Sequence, residues 1–200
     1  LSLFFCMRRI TGIRFLDFHN HVHASHGFNF TEDFRYILES LGSATSASEV
    51  KYLTQRFFSK AFNIPTTSTN VTIRIPATQY HLNHTIARNL TPTEIVIENF
   101  LEGHNHGHIK TCQQALERLK ASQVFIYDEV DYDHFYSDDT VRPLIISFLE
   151  EIQVDIFLPI YENNTIVGYI TVESHARPQR LYSDIERDEM IIFARYLSKV

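Results

Sequence analysis

DIFLPIYENNTIVGYITVES, residues 155–174, holds two apolar runs on either side of Glu162, Asn163 and Asn164. Asparagine tolerates the left-handed backbone that tight hairpin turns demand, so the stretch predicts two antiparallel strands closed by a short polar turn. Beyond it, DIERDEMIIFARYLSKV predicts a helix capped by Asp184. Its apolar residues at Ile185, Met190, Ile191, Ile192, Phe193, Tyr196 and Leu197 cover more than a narrow stripe. No glycine closes that helix, so it is expected to continue in a longer parent protein.

Working back from the hairpin, residues 141–152 predict a helix, with Pro143 tolerable in its first turn. QVFIYDEV, residues 123–130, reads as a strand. IKTCQQALERLK, residues 109–120, reads as a helix that aligns Ile109, Cys112, Leu116 and Leu119. Residues 78–100 are expected to hold a second strand, together with TEIVIENFL, whose type the pattern leaves open. TNVTIRIP, residues 69–76, alternates Val71, Ile73 and Ile75 inward with Thr72 and Arg74 outward, as a half-buried strand would. Two amphipathic helices precede it. Asn29 with Glu32 opens the first and Gly42 stops it, whereas Ser46 with Glu49 opens the second and Asn63-Ile64-Pro65 ends it.

The 200 residues suit one domain with additional helix, and 16 Phe and 10 Tyr can supply a sizeable core without Trp. A formal charge of -6 argues against a general nucleic-acid binder, which would present a basic face. Cys6 and Cys112 form no C-x-x-C pair, so neither a disulfide framework nor a zinc ribbon is encoded, and two free thiols fit a reducing compartment. At the start, Leu1 to Met7 form an apolar run followed by Arg8 and Arg9. Residues 1–28 are read as a leading helix or connector, or as the cytoplasmic end of a membrane helix with its basic inside flank.

Three stretches imitate chemistry. His19, His21 and His23 share one face if extended, as in the opening H-x-H motif of metal-dependent barrel hydrolases, with His26 close behind. Such a site draws further ligands from later strand ends, and no later strand here ends in histidine. The run at His104, His106 and His108 falls between elements. QVFIYDEVD imitates a strand whose acids hold magnesium, yet no G-x-x-x-x-G-K-[ST] phosphate loop precedes it. DEVDYDHFYSDD is rich in oxygen ligands but lacks the calcium-loop spacing and its central glycine. No metal and no catalytic residue is therefore predicted. Metal binding or metal-dependent hydrolysis through His19, His21 and His23 is the alternative.

The hairpin with Pro159 and Gly168, the helix from Asp184, and the paired helices leading into TNVTIRI together resemble the GAF family of sensory domains over about residues 30–200. The asparagine–lysine–phenylalanine–aspartate–glutamate motif of cyclic-nucleotide-binding members is absent. The resemblance implies an α+β fold over residues 29–200. Its antiparallel sheet would have five or six strands, with N- and C-terminal helices on one face and a ligand-type pocket on the other. It implies a regulatory input domain of a larger signalling protein, a sensor histidine kinase first among them, with an output domain in cis and no cofactor. The small-molecule ligand is unassigned, and Phe125, Tyr127, Phe135, Tyr136 and Tyr169 are its candidate contacts, the other reading being that they pack the core. Association is expected as a homodimer through the terminal helices, with Ile192 or Tyr196 near the axis. The location expected is cytoplasmic, or the cytosolic part of a membrane-anchored sensor.

Overall fold

The computed structural model of the chain describes residues 30–74, 90–103, 109–132, 141–177 and 181–200. Four strands form one antiparallel sheet among these residues: β1 (Thr69–Ile73), β2 (Phe125–Ile126), β3 (Val154–Glu162) and β4 (Thr165–Glu173), in the order β1-β4-β3-β2. The fold is thus mixed α+β. Helices α1 (Phe30–Gly42) and α2 (Ala47–Phe62) precede β1, and α3 (Pro92–Leu101) and α4 (Ile109–Ser122) lie between β1 and β2. After β2 come α5 (Tyr127–Tyr132) and α6 (Arg142–Glu151), and α7 (Asp184–Leu197) follows β4.

The hairpin sits at the centre of the sheet. Asn163 and Asn164 both take positive φ, 46° and 66°, the geometry that turns one twisted strand back onto another. Two bulges then decide which side chain faces where. Register slips between Val154 and Ile156, leaving Asp155 as an extra residue, and again between Ile160, paired with Gly168, and Tyr161, paired with Ile166, leaving Val167 extra. Each slip reverses the alternation of the strand beyond it. Ile156, Leu158, Ile160, Ile170 and Val172 therefore face one core with Val167, whereas Val154, Phe157, Tyr169 and Ile166 face the other.

Helices α1, α2 and α7 cover the first face, where Phe57 stacks on Phe193 at 4.3 Å between ring centroids. Helices α3, α4, α5 and α6 cover the second. Sequence explains the helix starts: Ser46, Thr91 and Ser183 each accept the backbone N–H three residues on, and Thr91–Glu94 and Ser183–Glu186 are complete capping boxes. Where α4 and α6 turn into strands, Gln123 and Gln153 take the left-handed backbone at φ 63° and 56°.

Three readings need correction. QVFIYDEV is a strand only at Phe125–Ile126, because a helix begins at Tyr127 with Asp128 and Glu129 in its favoured acidic first turn. Pro159, which has no N–H to give, lies beyond the part of β3 that β2 pairs with, Ile156 and Phe157. In β1 the inward and outward roles of the last residues are exchanged. Ile73 is 52% exposed, while Arg74 lies half-buried and donates to Glu98 at 2.7 Å on α3. The stretch left open, TEIVIENFL, is helix α3, started by Thr91 and by Pro92 in its first turn. Finally, the cap of α7 is Ser183, one residue ahead of Asp184. Of the residues 78–100 expected to hold a second strand, 78–89 lie outside the described residues, as do residues 1–29.

Gly168 is where β1 closes on the hairpin. A Cβ there would stand 2.8 Å from the Thr72 carbonyl oxygen, and that neighbour is backbone, which cannot step aside. The adjacent bulge residue Val167 accepts the Arg74 N–H at 2.7 Å, fixing the same approach. Gly168→Ala is expected to cost about 1–3 kcal/mol through overpacking, seen as a lower urea midpoint. An unchanged midpoint would show that β1 does not need this close contact.

Candidate functional site

The face of the sheet away from α1, α2 and α7 carries a ladder of aromatic rings. Phe100 of α3 stacks on Phe148 of α6 at 3.9 Å and 14°. Phe148 meets Phe157 of β3 edge-on at 5.3 Å, and Phe157 lies 5.5 Å from Tyr169 of β4. Phe125 of β2 closes on Phe100 at 6.5 Å. Offset and edge-to-face pairs of this kind add to plain area burial because the positive ring edge meets the negative face. Ile97, Leu119, Ile145 and Leu149 fill the spaces, and the buried thiol of Cys112 donates to the Phe100 carbonyl at 3.4 Å.

Of the predicted contacts, Phe125 and Tyr169 meet in this cluster and are buried. Tyr127 is half-buried at its margin, its hydroxyl donating to Glu150 at 2.8 Å. Phe135 and Tyr136 lie outside the described residues, as do His19, His21, His23 and the run from His104 to His108. Among the described residues no group of three or more His, Cys, Asp or Glu is placed to hold a metal. Phe100, Phe148 and Phe157 form the ladder's centre without a sequence signal that marks them for it. Phe100 sits in the segment whose type the pattern leaves open. The other two are visible as large apolar residues, but nothing in their spacing assigns them to one face.

Ile192 and Tyr196 have different surroundings. Ile192 is 47% exposed, whereas Tyr196 is half-buried and its hydroxyl donates to the Leu38 carbonyl at 3.3 Å, seating α7 on α1. On the outer side of α1 and α2, Asp33, Tyr36, Ile37, Arg56, Phe57 and Lys60 line a cleft of about 60 Å³, bridged by the Lys60–Asp33 ion pair. Sites that enclose a drug-sized ligand run to roughly 300–1,000 Å³, so this cleft admits little more than water.

A second polar group gathers where β4 hands over to α7. The bulged Asp155 is buried and accepts the His175 N–H at 2.9 Å. Arg177 lies 5.2 Å over the Tyr182 ring and donates to Glu186 at 2.7 Å. Burial, opposed by Arg177 and reinforced by Asp155, Glu186 and Asp128, holds the Tyr182 hydroxyl well above the usual phenol range. Glu186 also closes the capping box of α7. These charges fix the strand-to-helix connection. One turn on, burial first and the Glu186 charge second push the Glu189 carboxyl up to about 7.

Comparison with known proteins finds no matching family model, no matching curated protein and no matching solved structure.

Two outcomes are expected. Phe148→Ala should lose about 3–5 kcal/mol and leave an apolar void, so benzene should raise the melting temperature of the variant more than that of the parent protein. No rescue would mean that the ladder collapses when one ring is removed. For Glu189, a carboxyl raised in the folded state favours folding when protonated, and that contribution is lost as pH rises from about 4.5 to about 7. Glu189→Gln should therefore melt higher than the parent at pH 8 and match it near pH 4. Equal melting at both pH values would contradict the shift.

Proposed function

We propose that the chain is a GAF-like regulatory input domain of a larger signal-transduction protein, with a sensor histidine kinase first among its parents. The single observation that carries this reading is the division of labour across the sheet. Helices α1, α2 and α7 share one face, and the aromatic ladder, enclosed by α3, α4 and α6, occupies the other. In this reading the sheet reaches the five or six strands of the family pattern. The ladder side receives a small, mostly apolar molecule, with Phe125, Tyr127 and Tyr169 among its contacts and α7 passing the change to the output domain. The apolar character of the walls, with few polar groups between them, suits such a ligand.

The same reading makes the chain a homodimer through its terminal helices. Ile185 and Ile192 stand exposed along α7, and Tyr36 and Tyr52 stand exposed on α1 and α2. Ile185 and Ile192 are seven residues apart, so they lie on one side of the helix. That side would meet its copy in a parallel pair, where a small shift or rotation of α7 carries the signal. Tyr196, occupied with Leu38, serves the docking of α7, and Ile192 is left nearer the axis. Among the described residues no helix is long and apolar enough to cross a membrane. The domain would work in the cytoplasm, alone or attached to a membrane anchor.

Sedimentation velocity tests this directly. The expected result is a dimer at micromolar concentration that Ile192→Glu converts to monomer while melting as the parent does. A monomer at all concentrations, unchanged by Ile192→Glu, would refute the dimeric input domain.

A further inference from the structure

Strand β2 is two residues long and pairs with β3 only through Phe125 with Phe157 and Ile126 with Ile156. So short a ladder holds an edge strand weakly, and β2 is secured from outside by helix α7. Arg195 donates from both Nε and Nη2 to the Oε1 of Gln123, at 2.8 and 2.6 Å. Two turns earlier, Arg187 lies 3.8 Å from the Glu129 carboxylate. Gln123 stands just before β2 and Glu129 just after it, so the two arginines hold the strand at both ends.

These contacts hold a segment that both cores share. Its Val124 and Ile126 pack in the core that contains Met190, Phe193 and Leu197 of helix α7, whereas its Phe125 and Val130 belong to the aromatic core. Gln123 also follows directly on α4, which carries Cys112. We propose that Arg187 and Arg195 form a strap that couples the packing of the aromatic core to helix α7 around the β2 edge of the sheet. Arg187 has a second set of acceptors on its own helix, Asp184 at 3.7 Å and Asp188 at 3.3 Å. It can therefore release Glu129 without losing its charge partners, which gives the strap two discrete arrangements. Half-exposed single contacts are individually weak, so the strap yields well before the fold does. Its use as a signal route rests on the input-domain reading, whereas the mechanical coupling does not.

The buried thiol supplies the test. With Cys6→Ser, Cys112 is the chain's remaining cysteine, and its modification by dithionitrobenzoate reports opening of α4. Arg187→Ala together with Arg195→Ala, both on the opposite side of the sheet from Cys112, should raise the labelling rate about fivefold. Gln123→Asn keeps a residue suited to the left-handed backbone but shortens the side chain. It should match Arg195→Ala, and the two combined should exceed neither. Arg35→Ala, an exposed arginine on α1, should leave the rate unchanged. Labelling unaltered by the double substitution would overturn the strap. So would a rise matched by equally faster amide exchange throughout β3 and β4, since that is general loosening. Failure of the input-domain reading would show separately, as a monomer in sedimentation with the labelling result intact.

Discussion

The β3–β4 hairpin is covered on both faces, and that two-sided burial governs the rest of the molecule. From Val154 to Ile160 every residue of β3 is buried. A strand in this position has no solvent side on which to place polar residues, so its surroundings must supply two separate apolar layers. Helices α1, α2 and α7 form one layer, and α3 to α6 form the other. The bulges at Asp155 and Val167 follow from the same demand. Each reassigns a few side chains between the layers, and each places one group at a connection: the Asp155 carboxylate at His175, and the Val167 carbonyl at Arg74.

The separation of the layers gives the two cores different characters. Around Phe57, Phe58 and Phe193 the packing joins helices distant in sequence, and the polar groups at its margin fix the start of α7. The other core is built from rings supplied by single residues of α3, α6, β2, β3 and β4. Its geometry depends on five elements holding station together.

Much of the fold is legible in the sequence where short-range chemistry decides. Asn163-Asn164 marks the turn, Ser46 with Glu49 marks the start of α2, and Asn63 marks its end in the left-handed region. Legibility fails where long-range contacts decide. QVFIYDEV has the composition of a strand, yet only Phe125 and Ile126 find a partner on β3, and the acids after them favour a helix start. Ile73 and Arg74 exchange roles because Glu98 and Glu102, some 24 and 28 residues later, are placed to receive the guanidinium. The candidate site was read in part for the same reason. Phe125 and Tyr169 are recognisable as aromatic residues on strands, but Phe148 enters the ladder between them, against Phe100 and Phe157, only through the docking of α6.

The asparagine turn also bears on how the chain reaches this state. Closing a two-residue loop needs far less chain entropy than pairing β1 with β4, which spans about a hundred residues. The hairpin can thus form early and offer both of its faces as templates before either helical layer is complete. Interactions made at that stage belong to the folding nucleus, and weakening them slows folding more than it speeds unfolding. The tip at Asn163 and Asn164 belongs to neither core, yet it joins the two strands on which both are built.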